Sequence, residues 1–319
     1  EAERLLSRGR KDELVAIYLE FADRYFEGIA ADDPSQTKQP DYEQALTYYR
    51  EAVKLTPTAG VQRRVEFRIA RCLEELANWG EATAAYESFL KSWADEKTPA
   101  DDRATPAVIA EAHYRLGHVQ LNNAQAAAAR RTWKDFLADV PPAAEEEDDD
   151  DDEGSGAVNW HARAAYELPH TYGLPAPPTP GDLELAVGLA ERFLAQFAAH
   201  ELAAKSELEI AQGFLHHGRY EQAVARLQSL LSNETYADSK QLPQARRLLG
   251  QSYLAQQKFD EAIAAFKVFL EQHPTDTNWA EVQRQVVTTE FQKAAHARSE
   301  QNFAEARRLW ETFLNKYPL

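Results

Sequence analysis

The most basic helical face that the sequence predicts surrounds one aromatic residue. Three arginines flank it at the helical spacing i, i+3, i+4 and i+7: Arg64, Phe67, Arg68 and Arg71. The arginine side chain is a planar fork of N–H donors that pairs with a carboxylate through two parallel hydrogen bonds. We therefore expect this face to hold an acidic or C-terminal carboxylate group of a peptide.

An alternative is that these arginines pair with acids of the same helix. Glu74 and Glu75 follow closely, and Arg71 and Glu75 are at i, i+4. Such a pair contributes only ~0.2–0.5 kcal/mol on a helix surface. The sequence leaves both possibilities open.

No catalytic or nucleotide-binding motif accompanies this face. The chain has no G-x-x-x-x-G-K-[ST], G-x-G-x-x-G, H-E-x-x-H or G-x-S-x-G segment. His113 and His118 are five residues apart, about 140° around a helix, which suits a shared metal poorly. His216 and His217 adjoin a predicted turn and are interpreted as solvated residues. The sequence therefore predicts no enzyme, no cofactor site and no metal site.

The net charge, the single cysteine and the hydropathy of the chain limit the classes of function that the sequence allows. The 319 residues include 35 Lys+Arg and 52 Asp+Glu, for a net charge of −17, and a nucleic-acid surface would need clustered basic residues. Cys72 is the only cysteine, and we expect a small buried residue there rather than a reactive thiol. No apolar run approaches the ~20 residues that span a membrane. A protein or peptide is the expected partner, and nucleic acid is not.

Three segments interrupt the helical pattern. Residues 28–40 are polar, and residues 169–181 hold five of the 15 prolines. Residues 141–156 contain nine consecutive acids, Glu145–Glu153, without which the net charge of −17 would be −8. Because like charges repel one another and stay hydrated, we expect a disordered loop there.

A residue frame that occurs seven times must position these residues. In the clearest copies, residues 258–270 and 302–314, an aromatic residue precedes Glu-Ala, and a second aromatic follows the alanine by four residues. The anchoring alanines are Ala45, Ala82, Ala129, Ala186, Ala223, Ala262 and Ala306. Apolar residues four and seven positions after each alanine predict one amphipathic helix per copy. Leu249 and Gly250, thirteen and twelve residues before Ala262, indicate an upstream antiparallel helix.

This pattern resembles the tetratricopeptide repeat, a helix–turn–helix unit of 34 residues. The match is strongest over residues 244–274, and the residues that carry it there are Leu249, Gly250, Tyr253, Ala262, Phe266 and Pro274. Here the alanines are 37 to 57 residues apart, so the connections must be longer than in a regular array. The resemblance implies an all-α superhelix, a solenoid of about seven helix pairs that forms a single domain over residues 1–319.

Both ends of the chain are predicted to be interrupted repeats. Residues 12–21 resemble the second helix of a further pair, with residues 1–7 as the remainder of its partner. At the other end no following repeat covers Trp310, Phe313 and Leu314. The Phe-Leu endings bear some resemblance to large bacterial cell-envelope proteins of the α2-macroglobulin-like or outer-membrane assembly type. We therefore expect this chain to be part of a longer protein. The resemblance favours an extracytoplasmic location for that protein.

In this family the first helix of each pair lines a concave groove that holds peptide segments. By resemblance, groove positions fall fifteen and eleven residues before each anchoring alanine. Here they are Phe67, Arg71, Tyr114, His118, Leu208, Gln212, Arg247, Gln251, Phe291 and Ala295. The rings suit apolar side chains and the amides suit a peptide backbone. The resemblance thus implies a non-catalytic interaction scaffold; the alternative is a structural spacer or regulatory arm of a large extracytoplasmic protein, with its activity elsewhere.

Overall fold

The computed structural model describes residues 8–29, 39–95, 97–140 and 158–317. These ranges contain fourteen α-helices, three short 3-10 helices and no β-strand, which confirms the predicted all-α class. The acidic run Glu145–Glu153 and residues 1–7 lie outside the described ranges. Within those ranges we find no helix with both the length and the hydropathy needed to cross a membrane.

The chain divides into two compact units, residues 1–171 and 172–319. The boundary falls within the proline-rich segment 169–181. The helices of unit 1 are α1 (Arg8–Glu27), α2 (Tyr42–Lys54), α3 (Ala59–Glu75), α4 (Trp79–Trp93), α5 (Pro106–Asn122), α6 (Ala126–Asp139) and α7 (Trp160–Glu167). Those of unit 2 are α8 (Pro180–Gln196), α9 (Ala203–His216), α10 (Tyr220–Ser232), α11 (Leu242–Ala255), α12 (Phe259–Gln272), α13 (Trp279–Ser299) and α14 (Phe303–Lys316).

In each unit every helix packs mainly on its neighbours in sequence, as a helical solenoid requires. Unit 1 holds the pairs α1/α2, α3/α4 and α5/α6, with α7 packed on α5 and α6. Unit 2 begins with α8 and continues with the pairs α9/α10, α11/α12 and α13/α14. The described residues thus contain fourteen helices, of which twelve form six packed pairs and two, α7 and α8, are the others.

The turns inside five of the pairs, all except α1/α2, share one geometry. Five residues before the anchoring alanine the backbone has a positive φ, at Ala77, Ala124, Gly218, Gln257 and Gln301. The next N–H bonds back to the carbonyl five residues earlier, as from Asn78 to Leu73 and from Lys258 to Tyr253. This is the Schellman closure of a helix C-terminus, and it fixes the three-residue turn that brings the second helix back. Only one of the five positions is glycine, so these positions could not be recognised from residue type.

The repeated alanines and glycines allow the two helices of a pair to approach closely. All seven anchoring alanines are at most 2% exposed. A Cβ atom built on Gly117 would lie 2.3 Å from the ring of Trp133, and one on Gly250 would lie 2.3 Å from the ring of Phe266. The glycine of the first helix therefore leaves room for the aromatic ring of the second helix. This contact explains the spacing of the two residues in the sequence.

The N-terminal helix corrects one prediction. Residues 12–21 do not form the second helix of an incomplete pair; they belong to α1, a helix of 20 residues that packs on α2 as its first helix. Val15, Leu19 and Ala22 of α1 are buried in the same core as Tyr49 of α2. The long connection 28–41 moved the first helix away from the spacing that identifies it in the other copies.

Candidate functional site

The arginines of the predicted basic face contact acids and a ring from other helices of unit 1. Arg64 is exposed, and its guanidinium lies 3.8 Å from Asp23 of α1. The guanidinium of Arg68 lies 4.4 Å from the ring centroid of Phe26. The guanidinium of Arg71 lies 5.6 Å from the same ring centroid and also pairs with the carboxylate of Glu111 of α5. Neither Glu74 nor Glu75 is a partner of these arginines in the contacts that the structure gives, although both follow in the same helix.

The aromatic residues predicted for the groove in unit 1 have different surroundings. Phe67 lies between α3 and α4, with its ring centroid 6.1 Å from Tyr86 and 5.2 Å from Phe89. Tyr114 of α5 packs on α7, where its ring centroid is 5.1 Å from that of Trp160. Tyr114 thus lies on the face of α5 that contacts α7, whereas Phe67 packs into the core between α3 and α4.

A buried carboxylate organises the space between α3 and α5. Glu74 is 8% exposed. One of its oxygens accepts hydrogen bonds from the Tyr86 hydroxyl at 2.7 Å and from Arg115 at 3.1 Å, while the other lies 3.1 Å from Nδ1 of His118. The three partners come from two helices, α4 and α5, so this side chain ties three helices together.

Glu111 links the same arginine to the basic face. Its carboxylate accepts a hydrogen bond from Nε of Arg115 at 2.6 Å and another from Arg71 at 3.3 Å. We call the six residues the ionic cluster: Arg71, Glu74, Tyr86, Glu111, Arg115 and His118. Because its two carboxylates neutralise its two arginines, the cluster is built to join helices rather than to capture a strong acid.

The pKa values in the cluster follow from these contacts. Burial would by itself raise the pKa of Glu74, but hydrogen bonds from His118 and Tyr86 and the charge of Arg115 lower it below its usual range. The hydrogen bond to Glu74 raises the pKa of His118 despite partial burial. Burial, reinforced by the Glu74 charge, raises the pKa of Tyr86 well above its usual value. At neutral pH this favours an ionised Glu74 and a neutral Tyr86 that donates to it.

We expect the His118→Gln variant to have a weaker pH dependence of stability near neutrality. The pKa of His118 is raised above its ordinary value of 6.5 in the folded protein. Its contribution is therefore complete below pH 6.5 and is lost as the pH rises through the folded pKa. Urea unfolding across this range should show a decline in the free energy of unfolding of the wild type that the variant lacks. Equal slopes for the two proteins would show that His118 titration is not linked to folding.

An aromatic and arginine surface continues from the cluster onto α7. The guanidinium of Arg115 lies 5.6 Å from the Trp160 ring centroid and that of Arg163 lies 5.9 Å from it. The groove positions taken from the resemblance did not include Glu74, Glu111, Arg115 or Trp160. Within the sequence, the i, i+4 spacing of Glu111 and Arg115 could have indicated an ion pair there, but this spacing is common on helix surfaces.

The predicted groove residues of unit 2 differ in accessibility. Leu208 of α9 is 3% exposed, so little of its side chain can meet a ligand. Gln212, Arg247 and Gln251 are half-buried. Phe291 of α13 is 51% exposed, and its ring centroid lies 6.0 Å from that of Phe313 of α14. Of these residues of unit 2, Phe291 is therefore the most accessible and Leu208 the least.

Two of these residues line separate depressions. Gln251 borders a pocket of about 540 Å³ between α11 and α13. The other lining residues are Leu254, Ala255, Gln257, Phe259, Gln292 and His296. Arg247 borders a smaller pocket of about 350 Å³, together with charged residues that include Lys240 and Asp276. The first pocket is the apolar one, with amides at its edge.

Cys72 and three histidines have side chains that can react or bind a metal, and each has different surroundings. Cys72 is a free, buried cysteine, and burial raises the pKa of its thiol to about 12, as expected for a core residue. His113 stacks on Phe136 with ring centroids 5.5 Å apart. His216 is exposed, whereas His217 lies 3.0 Å from the carbonyl of Pro177. Among the aromatic residues four positions after an anchoring alanine, Tyr86, Trp133 and Phe266 are fully buried and Trp310 is only half-buried.

Comparison with known protein families finds the same repeat in both units. One tetratricopeptide repeat model matches residues 64–95, which include α4 and most of α3, and another matches residues 208–277. Both matched segments are thus similar to tetratricopeptide repeats. These models describe the repeat in general and give no support to the α2-macroglobulin-like or outer-membrane assembly relationship predicted from the sequence.

One solved structure supports this fold, and a second is reported beside it. The C-terminal part of a TPR repeat-containing protein from Cytophaga hutchinsonii is 12% identical over 94% of this chain and 95% of that one, with a TM-score of 0.58. PilF from Pseudomonas aeruginosa is 14% identical over 86% of this chain and 99% of that one, with a TM-score of 0.47. No curated protein sequence matches the chain. Proteins with tetratricopeptide repeats generally mediate protein–protein interactions and are usually non-catalytic scaffolds.

Proposed function

We propose that this chain is a non-catalytic protein-binding scaffold that holds a peptide segment against the first helices of its pairs. The observation that carries the proposal is the pocket between α11 and α13, both of which are first helices. Its volume of about 540 Å³ is within the ~300–1,000 Å³ of known ligand pockets. A single large side chain with its flanking backbone fits a space of this size.

The lining of this pocket indicates the class of ligand. Leu254 and Phe259 supply apolar surface, and Gln251 of α11 and Gln292 of α13 supply amides. An amide group both donates and accepts hydrogen bonds, as the N–H and C=O groups of a peptide backbone require. Among the described residues, no lysine, arginine, aspartate or glutamate lines the pocket. The ligand is therefore an extended peptide that inserts an uncharged apolar side chain.

The basic face of unit 1 is proposed to hold a carboxylate through two of its three arginines. Arg71 is already paired with Glu111 and is only 23% exposed. Arg64 is 58% exposed and has only a distant acid near it, and Arg68 lies over an aromatic ring. Arg64 and Arg68 are therefore the groups that remain available for a carboxylate.

A peptide-display selection on the full chain tests the proposal. Random peptides are selected on the immobilised protein, and the enriched sequences are titrated against the wild type and the Gln251→Ala/Gln292→Ala variant. Because the amides bind the peptide backbone, we expect enriched peptides with an apolar residue and a loss of affinity of at least about tenfold in the variant. Adding Arg64→Glu separately reports on the proposed carboxylate contact.

The matched control is Gln283→Ala, an exposed glutamine of α13 that does not line the pocket. It should leave peptide affinity unchanged. An equal loss in the control and the double variant would place the binding site elsewhere. The alternative, a structural spacer or regulatory arm of a large extracytoplasmic protein, predicts that no peptide is enriched at all.

A further inference from the structure

The pocket at the start of α11 differs in character from the apolar pocket further along the same helix. It has a volume of about 350 Å³ and lies among the first turns of α11 and the residues just before α11 and α13. Two cations, one acid and two amides line it: Lys240, Arg247, Asp276, Gln244 and Asn278. We call it the charged pocket, and we call the pocket of about 540 Å³ that Gln251 borders the apolar pocket.

Arg247 departs from the residue type that the other pairs have at its place. It lies fifteen residues before the anchoring alanine of its pair. The corresponding residues of α3, α5, α9 and α13 are all apolar or aromatic: Phe67, Tyr114, Leu208 and Phe291. Because these four pairs pack without a charge at this place, the fold does not require the guanidinium of Arg247. Its charge is therefore available for binding.

The cations at this end of α11 have no acid bound to them. The side chains of Lys240 and Arg247 form no hydrogen bond or ion pair with another described residue. The Nε atom of the adjacent Arg246 is shielded from solvent and has no partner in the described part of the chain. Glu281, which interacts with the charge of Arg247, is already paired with Arg284. In a chain with 52 acids and 35 Lys+Arg, these cations are thus left for a negative group from outside.

The charge of the lining indicates which negative group fits. Asp276 offsets one of the two cations, and its Oδ1 accepts hydrogen bonds from the backbone and side-chain N–H groups of Asn278 at 2.7 and 3.0 Å. The lining therefore carries an excess of one positive charge. One carboxylate neutralises that excess, whereas a phosphorylated side chain with about −1.5 to −2 charges exceeds it. The fork of Arg247 can donate two parallel hydrogen bonds to a carboxylate, and the amide of Gln244 can donate another.

The charged pocket lies within reach of a peptide that occupies the apolar pocket. Arg247 and Gln251 are at i, i+4 on one face of α11, and each borders one of the two pockets. The residues that line the two pockets are separated by about 6–15 Å along the helix axis, which an extended peptide spans in about two to five residues. Lys240 also borders a third depression, of about 340 Å³. A peptide that reaches Lys240 has surface on which to continue, so the carboxylate belongs to a side chain within the peptide.

We propose that the charged pocket binds an Asp or Glu side chain of the same peptide whose apolar residue enters the apolar pocket. This inference rests on the proposed function and narrows its ligand. The partner segment carries an apolar residue and, about two to five residues away, an acidic residue. Lys240 and Arg247 determine the preference for the acid, and they do so independently of the apolar pocket.

Peptide display on the immobilised full chain tests this inference through a change in selectivity. Random peptides are selected on the wild type and on the Lys240→Glu/Arg247→Glu variant. We expect the wild type to enrich an Asp or Glu about two to five residues from the apolar residue. The variant should enrich Lys or Arg at that separation and keep the same apolar residue, because the sign of charge in the charged pocket has been reversed.

Titration of one enriched peptide gives the size of the effect. Changing its acid to the corresponding amide should weaken binding to the wild type at least about tenfold, because a hydrogen-bonded ion pair is lost. The neutral variant Lys240→Gln/Arg247→Gln should bind the two peptides equally. This variant also decides the matter if circular dichroism shows that the charge reversal disturbs the fold.

The matched control is Lys267→Glu/Arg192→Glu, which changes the net charge by the same amount. Both residues are exposed and lie outside the two pockets. This control should still enrich acids. Acids that remain enriched on the Lys240→Glu/Arg247→Glu variant would overturn the inference, since they would then bind elsewhere, as on Arg64 and Arg68. Enrichment of apolar residues without an acid would overturn the inference and leave the proposed function standing, whereas no enrichment at all would overturn both.

Discussion

Replacing Glu74 with alanine should lower the free energy of unfolding by about 3 kcal/mol. Glu74 is 8% exposed and accepts hydrogen bonds from Tyr86 and Arg115, with His118 at hydrogen-bond distance. Without the carboxylate, the buried hydroxyl of Tyr86 loses its hydrogen-bond acceptor. The largely buried guanidinium of Arg115 loses one of its two carboxylate partners. The loss falls at the lower end of the range for broken buried ion pairs because Glu111 still pairs with Arg115. Urea unfolding followed by circular dichroism gives the measurement.

The neighbouring residue supplies the control for this experiment. Glu75 is exposed and makes no ion pair among the contacts given for the described residues. Glu75→Ala should therefore change the free energy of unfolding by less than about 0.5 kcal/mol. If the two variants were equally stable, the ionic cluster would not contribute to stability, and its role would have to lie in binding.

Replacing Gly250 with alanine should lower the free energy of unfolding by about 2–3 kcal/mol, although alanine favours helices. The added Cβ would lie 2.3 Å from the ring of Phe266, which is fully buried. The ring cannot move away without disturbing the contact between α11 and α12. The same measurement on the Gly250→Ala/Phe266→Leu protein should show that the two losses are not additive, because the smaller side chain leaves room for the methyl group.

Gly188 provides the opposite case in the same unit. It lies inside α8, and a Cβ there would meet no atom within 4 Å. Gly188→Ala should therefore raise the free energy of unfolding by about 0.5–1 kcal/mol, through helix propensity alone. A loss of stability at both glycines would mean that helix packing is not the reason for the effect at Gly250.

The sequence by itself determined the repeat and much of the core. The frame around each anchoring alanine predicted a helix, and all seven alanines are buried. This part was predictable because the helical period is local: a residue four or seven positions away lies on the same stripe whatever the rest of the chain does. The spacing of Gly250 before Ala262 predicted the upstream helix, and the structure adds the close approach of Gly250 to Phe266.

Longer connections defeated the same reasoning. The first helix of the first pair was assigned to a different pair because residues 28–41 separate it from α2. Loops of this length change the distance along the chain without changing how the helices pack, so spacing loses its value as a guide. The turn residues with positive φ were missed for a different reason, since alanine or glutamine occupies four of the five positions.

Only the tertiary structure decided which residues meet. Arg71 pairs with Glu111, which lies 40 residues away, rather than with Glu75 on its own helix. Phe67 packs into the core between α3 and α4, while Gln251 and Gln292 line one pocket although they lie 41 residues apart in the sequence. These outcomes depend on the distance and crossing of helices that are far apart in sequence, and a pattern within one helix holds no information on either.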